Sequence, residues 1–150
     1  MEIVEEGPVH LVGIEVTANW ENLQIEMPKA WRTLFARYEQ IKNRMGDDFM
    51  DVSLSAEDDQ YIQLVAAQVF AFEDVPSDMM ELDLPPQKYV YTVHSGPVEE
   101  IAKTFEEMYG WAKEHDIGVG DFKIDRGYRP EGDEKQHELY IRVVEGNRPV

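Results

Sequence analysis

Two pairs of residues at alternate positions together supply three aromatic rings and one carboxylate. Glu138 and Tyr140 are two residues apart, as are Tyr89 and Tyr91, so in a strand the members of each pair lie on one face of the sheet. Asp125 falls in the strand predicted before Glu138, and antiparallel pairing is expected to bring these two carboxylates close together. Because aromatic faces attract positive charge and a carboxylate neutralises it, the pattern favours a site for a bulky organic cation. An exposed sheet face explains Asp125, Glu138 and Tyr140 equally well.

The sequence carries no familiar pattern for metal binding or nucleophilic catalysis. The four histidines are far apart along the chain, and there is no cysteine. Glycine-rich phosphate loops and a Gly-x-Ser-x-Gly elbow are also absent. We therefore expect no metal site and no cofactor, and no catalytic residue is assigned.

The chain is strongly acidic, with 31 acidic and 14 basic residues among 150 and a formal charge of −17. Such a field repels phosphate backbones and anionic membranes, so we expect no direct nucleic-acid or membrane partner. Solubility alone also explains the charge. The chain has no cysteine, no apolar run of membrane-spanning length and no signal-peptide pattern at its start, and these features favour a cytoplasmic protein.

An apolar pattern with the period of a helix occurs twice, shifted by 67 positions, from Trp31 to Met45 and from Val98 to Ala112. One strand-like segment precedes each copy and two follow it. The pattern predicts two strand-helix-strand-strand repeats, at about residues 8–75 and 86–145, within one domain spanning 1–150. The seam between the halves is the expected place for a site.

Local signals set the expected bounds of these elements. The first helix is expected to begin at Pro28 and to end near Gly46, and the second is expected to begin after Pro97 and to end near His115. Gly110 predicts a break or a close packing contact within the second helix. Strands are expected at about 9–16, 50–55, 60–71, 79–84, 89–94, 122–128 and 138–144, with turns at 58–59 and 130–134.

Five segments, taken in order, resemble one known family. They are residues 8–13, 28–35, 88–101, 109–111 and 138–143. Together they resemble the effector-binding domain of AraC-type regulators, also called the GyrI-like small-molecule-binding domain, over roughly residues 8–144. The resemblance implies an α+β fold of two pseudo-symmetric βαββ units with antiparallel sheets. Two main helices are then expected on one face, with a ligand cleft between the halves.

The resemblance also implies candidate binding residues. Members of this family often bind aromatic cationic drugs against an acidic residue of the penultimate strand, beside a glutamate and a tyrosine of the last strand. These positions correspond here to Asp125, Glu138 and Tyr140. The penultimate strand reads Phe-Lys-Ile-Asp, so either Lys123 or Asp125 takes the acidic position, and Lys123 there would disfavour a cation. The further ligand-binding candidates are aromatic: Tyr89, Tyr91, Trp111 and Trp31, the last of which the helical period also predicts in the core.

These features predict a stand-alone effector-binding protein, without a DNA-binding helix-turn-helix, that binds hydrophobic, cationic small molecules. The expected role is transcription regulation, or the sensing or sequestration of xenobiotics. Two alternatives remain open. One is a hydrolase of reactive xenobiotics that uses a carboxylate of the same cleft as general base, and the other is a gyrase-inhibitor-like module whose acidic surface binds a basic protein partner.

Overall fold

The computed structural model describes residues 1–132 and 136–144, which form eight strands and two helices. A short 3₁₀ turn follows the first helix and another precedes the second. No helix in these residues is long and apolar enough to cross a lipid bilayer. The strands are β1 (Glu2–Glu6), β2 (Val9–Ala18), β3 (Phe49–Glu57), β4 (Gln60–Val69), β5 (Met80–Leu84), β6 (Gln87–Ser95), β7 (Val119–Tyr128) and β8 (Gln136–Val143), and the helices are α1 (Trp20–Arg37) and α2 (Ile101–Glu114).

The strands form a single antiparallel sheet in the order β1-β6-β8-β7-β3-β4-β2-β5. Two βαββ units share this sheet, β2-α1-β3-β4 and β6-α2-β7-β8. β3 and β7 pair at the centre, and the order outward from them is β3, β4, β2 on one side and β7, β8, β6 on the other. Two copies of one unit that are related by a twofold axis must show the same strand order outward from that axis. The α+β fold with a duplicated βαββ unit is therefore confirmed.

Short connections between distant strands show that the sheet is strongly curved. Gly7 and Pro8 alone join β1 to β2, and Pro85 and Pro86 alone join β5 to β6, although the strands of each pair are six positions apart in the sheet. Six strand spacings in a flat sheet cover about 29 Å, whereas such a connection spans roughly 10 Å. The two ends of the sheet must therefore approach each other.

The two faces of the sheet carry separate cores. Both helices pack on the outer face, where Val65 lies in the core under α1 and Leu139 in the core under α2. The inner face is concave, because its core joins Leu11 at one end of the sheet to Tyr89 near the other. This inner core spans both units and consists of Leu11, Met50, Val52, Leu64, Ala66, Leu84, Tyr89, Phe122, Ile124 and Tyr140.

The first helix begins and ends earlier than the sequence predicted. Its N-cap is Asn19, whose side-chain oxygen accepts a 2.8 Å hydrogen bond from the backbone N–H three residues later, and this cap satisfies an otherwise unpaired helix donor. Pro28 lies inside the helix instead of at its start. The chain becomes extended at Ile41, so the segment expected to form the last turns leads to β3 instead. Because the helices end at Arg37 and Glu114, a shift of 67 does not align them.

The remaining differences from the sequence predictions concern Gly110, the first strand and the turns. α2 continues through Gly110 without a break, and a Cβ at this position would meet no atom within 4 Å, so the expected packing contact is also wrong. β1 escapes prediction because its two apolar residues are surrounded by glutamates. The turn at Asp58 and Asp59 is confirmed, with φ values of 53° and 56° that suit a two-residue hairpin loop. The turn predicted at 130–134 lies partly outside the described residues.

Candidate small-molecule-binding cleft

A cavity of about 260 Å³ opens on the inner face of the sheet, at the seam between the two units. Both units contribute to its wall, and β1 adds one residue from the edge of the sheet. Strand alternation positions the side chains, since Tyr140 pairs in register with Ile124 on the same face. The cavity is lined by aromatic Tyr89 and Tyr140, apolar Val9, Met50 and Ile124, and polar or charged Glu6, Gln68, Arg126 and Glu138.

Glu138 provides a carboxylate that two tyrosines hold in place. Its Oε2 accepts hydrogen bonds from the hydroxyls of Tyr91 at 3.0 Å and Tyr140 at 3.2 Å. Among residues 1–132 and 136–144, no other hydrogen bond to this carboxylate occurs. Oε1 is therefore the oxygen that a ligand can contact without displacing a tyrosine.

Three tyrosine rings form one continuous aromatic surface beside this carboxylate. The ring centroid of Tyr140 lies 5.0 Å from that of Tyr91 and 5.5 Å from that of Tyr89, and both separations are typical of attractive ring pairs. Gln87 donates a 2.6 Å hydrogen bond to the Tyr89 hydroxyl. The structure therefore brings together four of the predicted site residues, while their role in binding stays a prediction.

Burial and nearby negative charge keep these tyrosines protonated. Burial raises the pKa of Tyr89, Tyr91 and Tyr140 above the ordinary value, and Glu138 raises the pKa of Tyr91 and Tyr140 further. Each hydroxyl consequently stays a hydrogen-bond donor at physiological pH.

Two charged residues of the cleft are not among the sequence candidates. Glu6 is the last residue of β1 and reaches the cavity from the edge of the sheet. Arg126 pairs in register with Glu138, and its Nε donates to Oδ2 of Asp48 at 3.4 Å. Strand alternation places Arg126 on the same face as Ile124, but only the register with β8 shows that this face is the inner one.

Asp125 and Lys123, the two alternatives for the acidic position, both lie on the outer face. Asp125 pairs in register with Leu139, which belongs to the core under α2. Lys123 is two residues earlier in the same strand and shares this face. The expected position of Asp125 beside Glu138 is therefore corrected, because the register sets Arg126 opposite Glu138 instead.

The sequence matches one family model, the GyrI-like small molecule binding domain, over residues 1–144. The chain belongs to this family. The resemblance predicted from the sequence motifs is therefore confirmed. No significant match to a curated protein is found.

Solved structures share the fold of this GyrI-like domain at low sequence identity. SAV2435 bound to tetraphenylphosphonium is 14% identical, with 96% of this chain and 93% of that chain covered and a TM-score of 0.71. The EcmrR C-terminal domain is 9% identical, with coverages of 95% and 96% and a TM-score of 0.68. A hydrolase from Listeria innocua is 14% identical, with coverages of 95% and 90% and a TM-score of 0.57. At these identities the matches show the fold alone.

The two tryptophan candidates do not reach the cleft of this GyrI-like domain. The ring of Trp31 in α1 lies 4.5 Å from that of Tyr128 and 5.1 Å from that of Phe35. Trp111 in α2 stacks on His115 at 4.3 Å. Both helices lie on the outer face, so the sheet separates these rings from the cavity. Their expected place in the cleft is therefore corrected, since ordinary outer-face packing explains both.

The outer face of the GyrI-like domain holds a polar cluster across the sheet from the cleft. Asp125 accepts a 2.6 Å hydrogen bond from the hydroxyl of Tyr128 and lies 2.7 Å from Nδ1 of His137. Asp51 pairs in register with Asp125 and accepts a 2.9 Å hydrogen bond from Gln63. Burial, with repulsion by Asp125 as the second cause, raises the pKa of Asp51 to about 7. These groups lie on the helix side of the sheet, so they do not form part of the cleft.

A second cavity, of about 380 Å³, lies at the sheet edge beside β1, and none of the described residues that line it is aromatic. Lys88 lines this second cavity and lies 3.8 Å from Glu5, so it compensates part of the acidic charge of the cavity. No group of three or more metal-ligating side chains occurs in the described part of the chain. The aromatic cleft of the GyrI-like domain is therefore the better candidate for an organic ligand.

Proposed function

We propose that the inner cleft binds aromatic cations and that Glu138 neutralises their charge. The observation that supports this proposal is a half-buried carboxylate set in a tyrosine surface, with one oxygen without a partner among the described residues. Ring faces attract positive charge, and they do so more strongly where water is excluded. The role that follows is the sensing or sequestration of lipophilic cations.

The charges around the cavity favour a cation over a neutral ligand. A monovalent cation about 4 Å from a carboxylate gains about 4 kcal/mol at an effective dielectric constant of about 20, before desolvation. Glu6 adds a second acid to the lining. The positive charge of Arg126 is partly compensated by Asp48, whose Oδ2 lies 3.4 Å from Nε of Arg126. The formal charge of −17 attracts cations from a distance.

The comparison with SAV2435 supports the same ligand class. That protein has the same fold and was solved with tetraphenylphosphonium bound, a lipophilic cation whose charge is surrounded by four aromatic rings. A cleft of tyrosines around one carboxylate suits such a ligand, because it requires no strong hydrogen-bond donor from the ligand.

Tetraphenylphosphonium is therefore the probe that tests the proposal, with affinity measured by titration calorimetry. Glu138→Gln preserves the shape of the side chain and removes its charge, so the affinity is expected to fall about 10- to 100-fold, because part of the Coulomb attraction remains after desolvation. Glu107→Gln is the matched control, because Glu107 is an exposed glutamate on α2. Equal losses in both variants would mean that only the overall charge attracts the probe, and this result would contradict the proposal.

A neutral compound separates charge from shape. Triphenylmethane has similar aromatic groups without a net charge or a strong hydrogen-bond acceptor, so Glu138→Gln is expected to change its affinity by less than about threefold. A large loss of affinity for the neutral compound would mean that the substitution disturbs the cavity itself.

The available oxygen of Glu138 also favours a second function, hydrolysis of a reactive electrophile. As general base, Glu138 would take a proton from water while the water oxygen bonds to the electrophilic carbon and the leaving group departs with its electron pair. Nitrophenyl acetate provides an absorbance assay for this step. Faster release of nitrophenolate by the wild type than by Glu138→Gln would support hydrolysis, and equal rates would contradict it.

A further inference from the structure

We propose that Arg126 makes the cleft selective for aromatic zwitterions, that is, ligands that carry a carboxylate as well as a cation. This inference rests on the proposed function, because it takes Glu138 as the partner of the cationic group. It adds a second, oppositely charged contact in the same cavity and so narrows the class of ligand.

Arg126 lines the cavity with most of its hydrogen-bonding capacity unused. Its side chain is 30% exposed, and within residues 1–132 and 136–144 it makes one hydrogen bond, from Nε to Asp48 at 3.4 Å. A guanidinium presents five N–H donors in a planar fork that matches a carboxylate. The two terminal nitrogens therefore remain able to bind an anionic group of a ligand.

The position of Arg126 relative to Glu138 defines the spacing of the two charges. The two residues pair directly across β7 and β8, and side chains at such positions share one face about 5 Å apart at their Cβ atoms. No ion pair joins them among the described residues, and Arg126 bonds to Asp48 on the other side. An acid and a base thus line the same cavity without forming an ion pair with each other.

A ligand that is only a cation leaves this arrangement incomplete. It pairs with Glu138 but leaves the terminal nitrogens of Arg126 without an anionic partner in the cavity. A carboxylate on the ligand supplies that partner and forms a charge-assisted, bidentate contact with the guanidinium.

Two phosphonium probes test this inference. Carboxybutyl-triphenylphosphonium is a zwitterion at neutral pH, and its methyl ester has nearly the same shape but is a cation only. The wild type is expected to bind the acid about tenfold more tightly than the ester. Arg126→Gln should abolish this preference by weakening binding of the acid, whereas Glu138→Gln should weaken binding of both probes.

The control is Arg129→Gln, because Arg129 is an exposed arginine just after β7 and does not line the cavity. It removes the same charge and should leave the ratio of affinities unchanged. Asp48→Asn is a second variant that releases Arg126 from its partner, so it should preserve or increase the preference for the acid. This variant and the wild type decide the question if Arg126→Gln fails to fold.

The outcomes separate this inference from the proposed function. Equal affinity of the wild type for acid and ester, or an unchanged ratio in Arg126→Gln, would overturn the role of Arg126 and leave cation binding intact. Ester binding that does not depend on Glu138 would instead overturn the proposed function.

Discussion

Replacing Asp51 by asparagine is expected to stabilise the fold at about pH 8 and to have little effect at about pH 4. Asp51 pairs in register with Asp125 across the centre of the sheet. Burial raises the pKa of Asp51 to about 7, with the charge of Asp125 as the second cause. The folded protein therefore keeps this carboxyl protonated at pH values where the unfolded chain ionises it.

The sign and size of the effect follow from the ordinary pKa of an aspartate, about 3.8, and the raised pKa of Asp51 in the fold, about 7. The folded state binds the proton more tightly, so the free energy of unfolding falls as the pH rises from about 3.8 to about 7 and is constant above. At about 1.4 kcal/mol for each pH unit, the full loss is about 4 kcal/mol. Because Asp51 is only partly buried, we expect asparagine to recover about 2–4 kcal/mol at high pH.

The assay is urea denaturation of the wild type and of Asp51→Asn at several pH values, with the difference between them plotted against pH. The difference cancels the titration of the other acidic residues, provided that the urea m-values agree. Asp47→Asn is the control, since Asp47 is exposed and its variant should give a difference near zero throughout. A pH-independent difference for Asp51→Asn, or destabilisation at about pH 8, would mean that the fold does not raise the pKa of Asp51.

Three further predictions concern packing, the outer cluster and nucleic acid. Gly13→Ala should cost more than about 2 kcal/mol in urea denaturation, because its Cβ would lie 1.9 Å from the carbonyl oxygen of Val65, and wild-type stability would contradict the predicted clash. Asp125→Asn should cost about 1.5–3 kcal/mol of stability and leave tetraphenylphosphonium affinity within about twofold in calorimetry, whereas a selective loss of affinity would return Asp125 to the site. The protein should show no specific binding to duplex DNA in gel retardation at physiological salt, because the excess of acidic residues repels phosphate; sequence-dependent retardation would refute this expectation.

Local strand periodicity made part of the site predictable from the sequence. Side chains alternate strictly between the faces of a strand, so Glu138 with Tyr140 and Tyr89 with Tyr91 could be paired without knowledge of the tertiary fold. The structure shows that the two pairs also belong to neighbouring strands, with Tyr91 opposite Tyr140.

Strand register could not be predicted, and it decides the remaining residues of the site. Neighbouring residues of a strand lie on opposite faces, so an error of one residue in the register of β7 against β8 changes which side chains share a face. An error of this size is the difference between Asp125 and Arg126 as the residue opposite Glu138. The pairing is also irregular between Val119 and Lys123, which no local pattern indicates. The contribution of Glu6 depends on an edge strand that pairs with the far βαββ unit.

The helix bounds show a competing effect of local signals. Proline is common at the first position of a helix, so Pro28 is an obvious candidate for the start of α1. The actual N-cap, Asn19, lies nine residues earlier and is also a residue type that favours this position. The apolar residues after Arg37 continue at helical spacing, but the backbone at Ile41 is extended, and the side chain of Ile41 is buried in this conformation. Tertiary packing therefore overrode the periodicity there.

The position of a bound cation in a crystal shows whether the inner cleft is the binding site. Tetraphenylarsonium has the same shape as tetraphenylphosphonium, and its arsenic atom gives an anomalous signal that locates the ligand in crystals of the complex. We expect one arsenic peak on the inner face of the sheet, beside Tyr89, Glu138 and Tyr140. A peak on the helix side of the sheet, near Asp125 or Trp31, would contradict it.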